Sequence, residues 1–528
     1  MLRSGVATRF NIFRVKNFRK ICQSLSLLQQ LHASDVISGL CQNDSIISEL
    51  LSCCSPLNAD NASWLLLYLG NSDVFVWNDF IRERSLSKNP NDSVLAFVGM
   101  LRYGLEPDHF TYPFLLRSAS RLFRNDLGKA IHSHVLRNGF VEDRFVANAL
   151  IHMYGLHKQI DDARKVFDEI PEKNLVSWNS MLDGYVKCRD MNSASSLFDM
   201  MVDRDIVSWS CLIDGYVKSK ELENAILVFD QMLAAGPNPN EVTMVSVLNA
   251  CSHMGALGKG RAMHRLIVDN HLPMTLTLRT SLVDMYAKCG AIDDALAAFR
   301  GCAKDETDVM IWNSIIGGLA THGLFKQALD LFQEMQWSGI DPDDITYLCL
   351  LTACAHGRMV KAAWHYFGCL CEPKIEHYAS LVDAMARSGQ VDEAFRFLDQ
   401  MPIDPTPSTL GALLNGCVNH KKMDLAEAVG KKLIDLDPDH DGRYIGLSNV
   451  YADFNRWDKV RGLRSTMERR GIKKLPGHSC LEVLGAIHRF NAHEKMHPCI
   501  EEINIMLRLI TSQLKLDAAH VSAALMET

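Results

Sequence analysis

The 528-residue sequence predicts an all-α fold, a solenoid of helix-turn-helix repeats of 31–35 residues with a small non-repeat C-terminal segment. Three observations lead to this fold class. The segment 175–205 aligns with the segment that follows it at a constant offset of 31 residues, so that Trp178 matches Trp209. Two residue markers recur along the chain with one mixed spacing, and each repeat contains two amphipathic helical patterns.

The first marker is an alanine four residues before a phenylalanine. Its steps are 31, 31, 70 and 33 residues, and 70 corresponds to two repeats of 35. It occurs at Ala163/Phe167, Ala194/Phe198, Ala225/Phe229, Ala295/Phe299 and Ala328/Phe332. The second marker is a tryptophan, at Trp77, Trp178, Trp209 and Trp312. Repeats of 31, 33 and 35 residues also explain the distances between these tryptophans. The mixed period argues against tetratricopeptide repeats, which keep a uniform period of about 34 residues.

Each repeat is predicted to form a helical hairpin. In the segment 175–205, two apolar faces at helical spacing are separated by a break at Arg189. They consist of Trp178, Met181, Leu182 and Tyr185, and of Ala194, Leu197, Phe198 and Met201. The 35-residue repeats end with a proline that stops the helix, at Pro107, Pro239 and Pro342. One hairpin cannot bury both of its apolar faces alone, so successive hairpins are expected to stack.

The composition fits a long stack with a distributed core. Hydrophobic residues make up 48% of the chain, and no apolar run approaches the roughly 18 residues that a transmembrane helix needs. The formal net charge of −7 does not by itself indicate a nucleic-acid-binding protein. None of the 16 cysteines forms a C-x-x-C pair, and several share one repeat position, which predicts buried thiols in a reducing compartment: Cys251, Cys354 and Cys417.

The N-terminal residues 1–34 are basic and contain no acidic residue; the first is Asp35. The basic residues are Arg3, Arg9, Arg14, Lys16, Arg19 and Lys20. Such a composition is typical of an organelle transit peptide, predicted here over residues 1–30, and the alternative is a disordered basic start. Because arginine dominates and serine is sparse before Ser24, we expect targeting to mitochondria, with the plastid as the alternative.

The repeat pattern divides the rest of the chain into four segments. Residues 31–73 hold degenerate repeats, 74–405 the clear repeat array, 406–474 two further helical motifs and 475–528 a different C-terminal segment. The units of the array are 74–108, 109–143, 144–174, 175–205, 206–240, 241–275, 276–308, 309–343, 344–374 and 375–405.

The repeats resemble plant pentatricopeptide repeat proteins of the PLS class. The resemblance is carried by the mixed unit lengths and by the motifs Val-Ser-Trp-Asn at 176–179 and Val-Asp-Met-Tyr-Ala-Lys-Cys-Gly at 283–290. It covers residues 31 to about 510. It implies a right-handed superhelical solenoid in which each repeat faces one nucleotide of single-stranded RNA. The fifth and the last residue of a unit are then expected to select the base.

The fifth and last residues of six units are the candidate base-recognising pairs. They are Asn78 with Asp108, Asn148 with Asn174, Asn179 with Asp205, Ser210 with Asn240, Thr280 with Asp308, and Asn313 with Asp343. By the family's pairing rule, the three Asn/Asp pairs resemble uridine selectors, and the others resemble selectors of a pyrimidine (Asn148), adenosine (Ser210) and guanosine (Thr280). The residues alone equally allow that Asn179, Asn313, Asp205 and Asp343 are helix N-caps.

The second residue of successive units is apolar, except at Thr277, and could stack against bases. These candidate stacking residues are Phe75, Phe110, Phe145, Val176, Val207, Val242, Met310 and Ile345. The fifth residues Pro113, Val245 and Leu348 cannot hydrogen-bond a base through their side chains, so the intervening units are expected to accept any base.

The segments 406–474 and 475–528 resemble the E1 and E2 motifs and the E+ segment of RNA editing factors. The alternation of Leu481, Val483, Ile487 and Phe490 predicts a small β-hairpin around Gly485. Where the family usually has tryptophan, this chain has Leu410 and Cys480. Longer relatives continue into a DYW-type zinc deaminase, which needs H-x-E followed by P-C-x-x-C. None of the 20 histidines precedes a glutamate at that spacing, so His493, His497 and Cys499 are not expected to form a metal site.

The sequence therefore predicts a protein without catalytic residues, cofactor or metal that binds single-stranded organelle RNA. The expected role is recognition of a site for C-to-U RNA editing, with a DYW-type deaminase-bearing protein or other editing factors supplied in trans. The alternative is a splicing, processing or stability factor that acts by binding alone. A protein-binding helical scaffold is what the fold by itself would allow.

Overall fold

The computed structural model describes residues 73–302, 307–474, 477–483, 486–491 and 500–526. The predicted transit peptide, nearly all of the degenerate repeats and the residues His493, His497 and Cys499 lie outside the described residues. The prediction of an all-α repeat solenoid is confirmed. Among the described residues, no helix is both long enough and apolar enough to cross a membrane.

The chain divides into two compact units, Met1–Thr243 and Met244–Thr528, and the boundary falls inside α11. The helices that begin in the first unit are α1 Val74–Leu86, α2 Asn91–Arg102, α3 Thr111–Arg121, α4 Asn125–Arg137, α5 Arg144–Leu156, α6 Ile160–Glu169, α7 Leu175–Lys187, α8 Met191–Met200, α9 Ile206–Lys218, α10 Leu222–Ala235 and α11 Glu241–Met254.

The second unit continues with a longer series. Its further elements are α12 Leu257–Asp269, α13 Leu276–Lys288, α14 Ile292–Arg300, α15 Val309–Thr321, α16 Phe325–Trp337, α17 Asp344–His356, α18 Val360–Gly368, α19 Ile375–Ser388, α20 Val391–Gln400, α21 Pro407–Asn419, α22 Met423–Leu436, α23 Asp441–Asp453, α24 Trp457–Arg469, β1 His478–Val483, β2 Ala486–Asn491 and α25 Ile500–Met526.

The two residue markers of the repeat touch each other across the boundary between repeats. Phe167 on α6 packs edge-to-face against Trp178 on α7, with ring centroids 5.1 Å apart. The same contact recurs at 4.7 Å, between Phe198 and Trp209 and between Phe299 and Trp312. Such pairs contribute about 0.5–1.5 kcal/mol beyond their buried area. The two markers therefore recur with the same steps in the sequence because they pack against each other at each boundary between repeats.

In every unit from 109 to 405, the turn inside the hairpin contains a residue with a left-handed backbone at position 15 of the unit. Gly290 and Gly323 take this conformation with φ of 79° and 74°. Other units place a long side chain there, at Lys158, Arg189 and Lys220, with φ of 58° to 63°. A left-handed non-glycine residue costs roughly 1–2 kcal/mol, so the packing of the two helices holds the turn at these positions.

The mixed repeat length arises in the second helix of the hairpin. In the 31-residue units, α6 and α8 each have 10 residues, whereas α10 in a 35-residue unit has 14. α10 also ends at Gly236 in a left-handed C-cap, with φ of 100°. The longer unit therefore carries one extra helical turn of about 3.6 residues.

The alternating segment near the C-terminus forms the β-hairpin that the sequence predicts. Strands β1 and β2 pair antiparallel, with Val483 opposite Ala486 nearest the turn and His478 opposite Asn491 at the far end. Gly485, around which the hairpin is predicted, lies outside the described residues.

Candidate nucleic-acid interface

The apolar residues at the second position of the units lie in the solvent. Their exposed fractions range from 54% for Phe110 to 69% for Phe145. This holds for all eight candidates, Phe75, Phe110, Phe145, Val176, Val207, Val242, Met310 and Ile345. The repeat pattern that buries the marker alanines completely therefore also exposes one large apolar side chain at the start of eight units, where a flat apolar ligand could pack.

Asn78, the fifth residue of its unit, is joined to the last residue Asp108 and to the third residue of the next unit, Thr111. Asn78 Nδ2 donates to Asp108 Oδ1 at 2.8 Å, and Thr111 Oγ1 donates to Asn78 Oδ1 at 2.6 Å. The backbone N–H of Thr111 donates to Asp108 Oδ1 at 3.0 Å. Asn78 is 6% exposed, so these bonds satisfy a nearly buried amide.

The same arrangement recurs in two further units. Asn179 Nδ2 donates to Asp205 Oδ1 at 3.1 Å, and Ser208 Oγ donates to Asn179 Oδ1 at 2.6 Å. The third example joins Asn313 to Asp343 at 2.9 Å and Thr346 to Asn313 at 2.7 Å. All three pairs that resemble uridine selectors thus have one geometry.

The aspartates are also helix caps. Asp205 and Asp343 are the N-caps of α9 and α17, and both complete capping boxes with Ser208 and Thr346. The alternative in which Asn179 and Asn313 are N-caps is wrong, because both lie inside helices, α7 and α15. For the aspartates, capping and base selection are compatible, since the cap bonds from the backbone of Ser208 and Thr346 fall on Oδ1.

Two of these carboxylates have pKa values below the ordinary range. Burial raises the pKa of Asp205, but hydrogen bonds from Ser208 and Asn179 outweigh burial and lower it overall. The pKa of Asp343 is lowered in the same way, by bonds from Thr346 and Asn313 that outweigh its burial. Both carboxylates are therefore charged at neutral pH.

The other candidate pairs are not bonded directly. Ser210 Oγ lies 2.6 Å from the hydroxyl of Thr243, and Thr243 in turn donates to Asn240 Oδ1 at 2.8 Å. The Thr280 hydroxyl donates to the carbonyl of Leu276 at 2.8 Å rather than to its predicted partner.

Asn148 and Asn174 are the remaining pair whose side chains are not hydrogen-bonded to each other. Asn174 caps α7 by accepting from the backbone and hydroxyl of Ser177, both at 2.9 Å. The side-chain oxygen of Asn148 is buried and has no hydrogen-bond partner among the described residues.

A groove of about 980 Å³ in the first unit joins several of the candidates. It is lined by residues of consecutive first helices, and seven of them are sequence-predicted site residues: Val176, Asn179, Asp205, Val207, Ser210, Asn240 and Val242. An apolar residue and a polar pair alternate along it, which is the arrangement that stacked bases with outward-facing edges require.

The groove carries balanced charge. Its lining contains three acidic residues, Asp183, Asp205 and Asp214, and three basic ones, Lys187, Arg189 and Lys218. Asp183 holds Lys187 at 2.5 Å and Asp214 holds Lys218 at 2.6 Å, each pair four residues apart on one helix. The lysines are therefore partly neutralised where a phosphate would approach.

Sequence reasoning missed the third-position hydroxyls and these ion pairs. Both leave a signal in the repeat alignment, because Ser177 matches Ser208 and the motif Asp-Gly-Tyr-Val-Lys recurs at 183–187 and 214–218. Among the described residues, no group of three or more His, Cys, Asp or Glu side chains could hold a metal ion.

Profile comparison finds repeat signatures along the chain. Residues 204–253 and 307–356 match the PPR repeat family, and 145–175, 176–206 and 370–402 match PPR repeats. Residues 420–482 match the E motif.

Two relatives from Arabidopsis thaliana cover nearly the whole chain. Pentatricopeptide repeat-containing protein At5g08305 is 49% identical over an alignment of 510 residues that covers 95% of this chain and 96% of that protein. Pentatricopeptide repeat-containing protein At2g22410, mitochondrial, is 33% identical and covers 91% of this chain and 87% of its own length. The crystal structure of the pentatricopeptide repeat protein PPR10 from maize superposes with a TM-score of 0.52 at 19% identity, over 86% of this chain and 78% of that chain, which shows a shared fold.

Proposed function

Because this chain belongs to the pentatricopeptide repeat family and contains an E motif, we propose that it binds a specific single-stranded RNA in an organelle. Its role there is to mark a site for C-to-U editing. The observation that carries the proposal is the common geometry of Asn78–Asp108, Asn179–Asp205 and Asn313–Asp343, each beside an exposed apolar residue.

The free atoms of such a pair match the edge of uracil. The hydrogen bonds that Asp205 accepts from Asn179 and Ser208 fall on Oδ1, and Oδ2 is proposed to accept from uracil N3–H. The second proton of Asn179 Nδ2 can be donated to a uracil carbonyl oxygen. Cytosine presents an acceptor at N3, which would face the charged carboxylate. Uridine is therefore preferred, and rejection of the wrong edge is worth about 1–3 kcal/mol.

The order of the pairs defines a test RNA. With the amino to carboxyl direction taken as 5′ to 3′, units 74 to 343 select uridine, any base, a pyrimidine, uridine, adenosine, any base, guanosine and uridine. An RNA with this sequence should bind at least tenfold more tightly than one in which the three uridines are cytidines. Equal binding of both RNAs in a competition gel shift would refute the assignment.

Editing, rather than binding alone, is favoured by the E motif at 420–482. The deamination itself is proposed to come from a DYW-type deaminase-bearing protein or other editing factors acting in trans. The basic segment 1–30 supports a mitochondrial location, with the plastid as the alternative.

Sequencing of organelle cDNA from a knockout line separates the functions. Loss of one C-to-U event downstream of the test sequence, with normal splicing and transcript abundance, is expected. A knockout that edits every site but lacks a spliced or stable transcript would support the alternative, a splicing, processing or stability factor that acts by binding alone. Normal editing, splicing and abundance of all organelle transcripts in the knockout would favour a protein-binding scaffold.

A further inference from the structure

We propose that the serine or threonine at the third position of a unit sets the uridine preference of the preceding unit. Thr111, Ser208 and Thr346 are these positioning residues, and each acts through an asparagine that contacts the base. The inference rests on the proposed RNA binding and adds a residue to the pair that selects each uridine.

The hydroxyl of Ser208 is oriented from two sides. Its oxygen accepts from the backbone N–H of Asp205 at 3.3 Å and lies 2.6 Å from Asn179 Oδ1. Thr111 and Thr346 make the same two contacts, accepting from the N–H of Asp108 and Asp343 at 3.1 Å. The aspartate Oδ1 also lies within hydrogen-bond distance of each hydroxyl, at 2.8 to 3.0 Å, but the asparagine Oδ1 is nearer, at 2.6 to 2.7 Å. Because a hydroxyl has a single proton, the shorter distance favours donation to the asparagine.

This contact decides which way the asparagine amide points. When Oδ1 accepts from the hydroxyl and one N–H of Nδ2 donates to the aspartate, the orientation of the amide is fixed. The second N–H of Nδ2, which is proposed to reach the base, then has a fixed direction as well. The reversed amide would place Oδ1 of Asn179 against the carboxylate of Asp205, which is charged. Asn78 and Asn313 are 6% and 8% exposed, so losing the hydroxyl would leave a nearly buried Oδ1 without that donor.

Two other units show what happens when this bridge is absent. After the pair Thr280 and Asp308, the third position is Ile311, and Thr280 bonds to its own helix. In the unit 144–174, the side-chain oxygen of Asn148 is left without a partner among the described residues, and the hydroxyl of Ser177 bonds to Asn174 instead. A bridged amide is found where an Asn/Asp pair is followed by a third-position hydroxyl.

The chain supplies a matched pair of variants. Ser208→Ala removes the bridge to Asn179, whereas Ser177→Ala removes an equivalent cap contact without touching Asn148. Full-length proteins are titrated by fluorescence anisotropy with RNAs that carry U or C opposite the unit concerned. We expect Ser208→Ala to lower the preference for U over C at its own nucleotide about 3- to 10-fold, as for one lost hydrogen bond.

The controls separate positioning from folding. Ser208→Thr should restore the preference, Ser177→Ala should leave the base preference of unit 144–174 unchanged, and the uridine opposite 309–343 should be unaffected by Ser208→Ala. Thr111→Val keeps the side-chain shape while removing the hydroxyl, and should reproduce the loss at the first uridine.

A gain-of-function variant tests the same inference in the opposite direction. Thr280→Asn alone supplies the asparagine of a uridine selector beside Asp308, but Ile311 offers no hydroxyl. The double variant with Ile311→Thr should prefer U over G about 3- to 10-fold more strongly than Thr280→Asn alone.

The outcomes distinguish this inference from the proposed function. If the wild type prefers uridine and neither Ser208→Ala nor Thr111→Val alters that preference, the hydroxyl is only a cap and the inference is overturned. An equal loss in Ser177→Ala would overturn it as well. If the wild type itself does not distinguish U from C at either site, the proposed base selection fails and the inference falls with it.

Discussion

At the scale of single residues, one aspartate serves the helix and the candidate site together. Asp205 and Asp343 cap the next helix through Oδ1 and hold the asparagine of the preceding one through the same atom. A substitution at these positions is therefore expected to alter both local stability and the proposed base selection, and only a variant that keeps the cap can separate them.

The lowered pKa values make a prediction about pH. A carboxylate whose pKa is lower in the folded than in the unfolded state stabilises the fold when it is charged. This contribution is fully present at pH values above the pKa of aspartate in the unfolded chain, about 3.9. That stability is lost only as the pH falls through the lower folded value. The uridine preference of the units containing Asp205 and Asp343 should thus be constant from about pH 7.5 to 5 in anisotropy titrations.

The control for this prediction is Asp205→Asn. The asparagine can still cap α9, but it places a donor where uracil N3–H needs an acceptor. We expect this variant to lose about tenfold of the uridine preference at every pH. A wild-type preference that disappears over the same pH interval would contradict the assigned charge.

At the scale of elements, the stacking of first helices depends on small residues at their crossing points. A Cβ atom added to Gly416 on α21 would lie 2.5 Å from the Cβ of Ala386 on α19. On the same helix, a Cβ added to Gly411 would meet no described atom within 4 Å. The two glycines therefore have opposite roles, one required for close approach and one replaceable.

These glycines give a matched stability test. Gly416→Ala forces α21 and α19 apart, and overpacking of this kind costs about 1–3 kcal/mol. Gly411→Ala removes backbone freedom from a helix interior and should stabilise by about 0.5–1 kcal/mol. Urea unfolding followed by circular dichroism measures both. The packing account would be wrong if the two variants shifted the midpoint in the same direction.

At the scale of the whole molecule, the charge works against RNA unless bases provide the affinity. The chain carries a formal net charge of −7, and Lys187 and Lys218 in the groove are held by Asp183 and Asp214. Non-specific RNA therefore gains little from phosphate binding, which leaves discrimination to base stacking and hydrogen bonds.

This balance predicts the effect of freeing the lysines. The double variant Asp183→Asn, Asp214→Asn should bind a non-cognate RNA more tightly than the wild type. The slope of log affinity against log salt should steepen by about 0.7 for each additional phosphate that a freed lysine neutralises. The control is Asp162→Asn, Asp168→Asn, which makes the same charge change on α6, outside the groove lining. If both double variants behave alike, net charge rather than the groove ion pairs is responsible.

The repeats, their mixed period and the residues that share a helix face can all be predicted from the amino-acid pattern. Helical geometry fixes the angle between successive residues, so the buried positions of Ala163 and Phe167 and the exposed position of Val176 follow from spacing alone. Which of the predicted pairs are bonded is visible only in the packed structure. Ser208 reaches Asn179 across a repeat boundary, whereas Thr280 turns back to its own helix. Such contacts depend on distances of a few tenths of an ångström between packed helices, and those distances are set by the summed packing of both repeats.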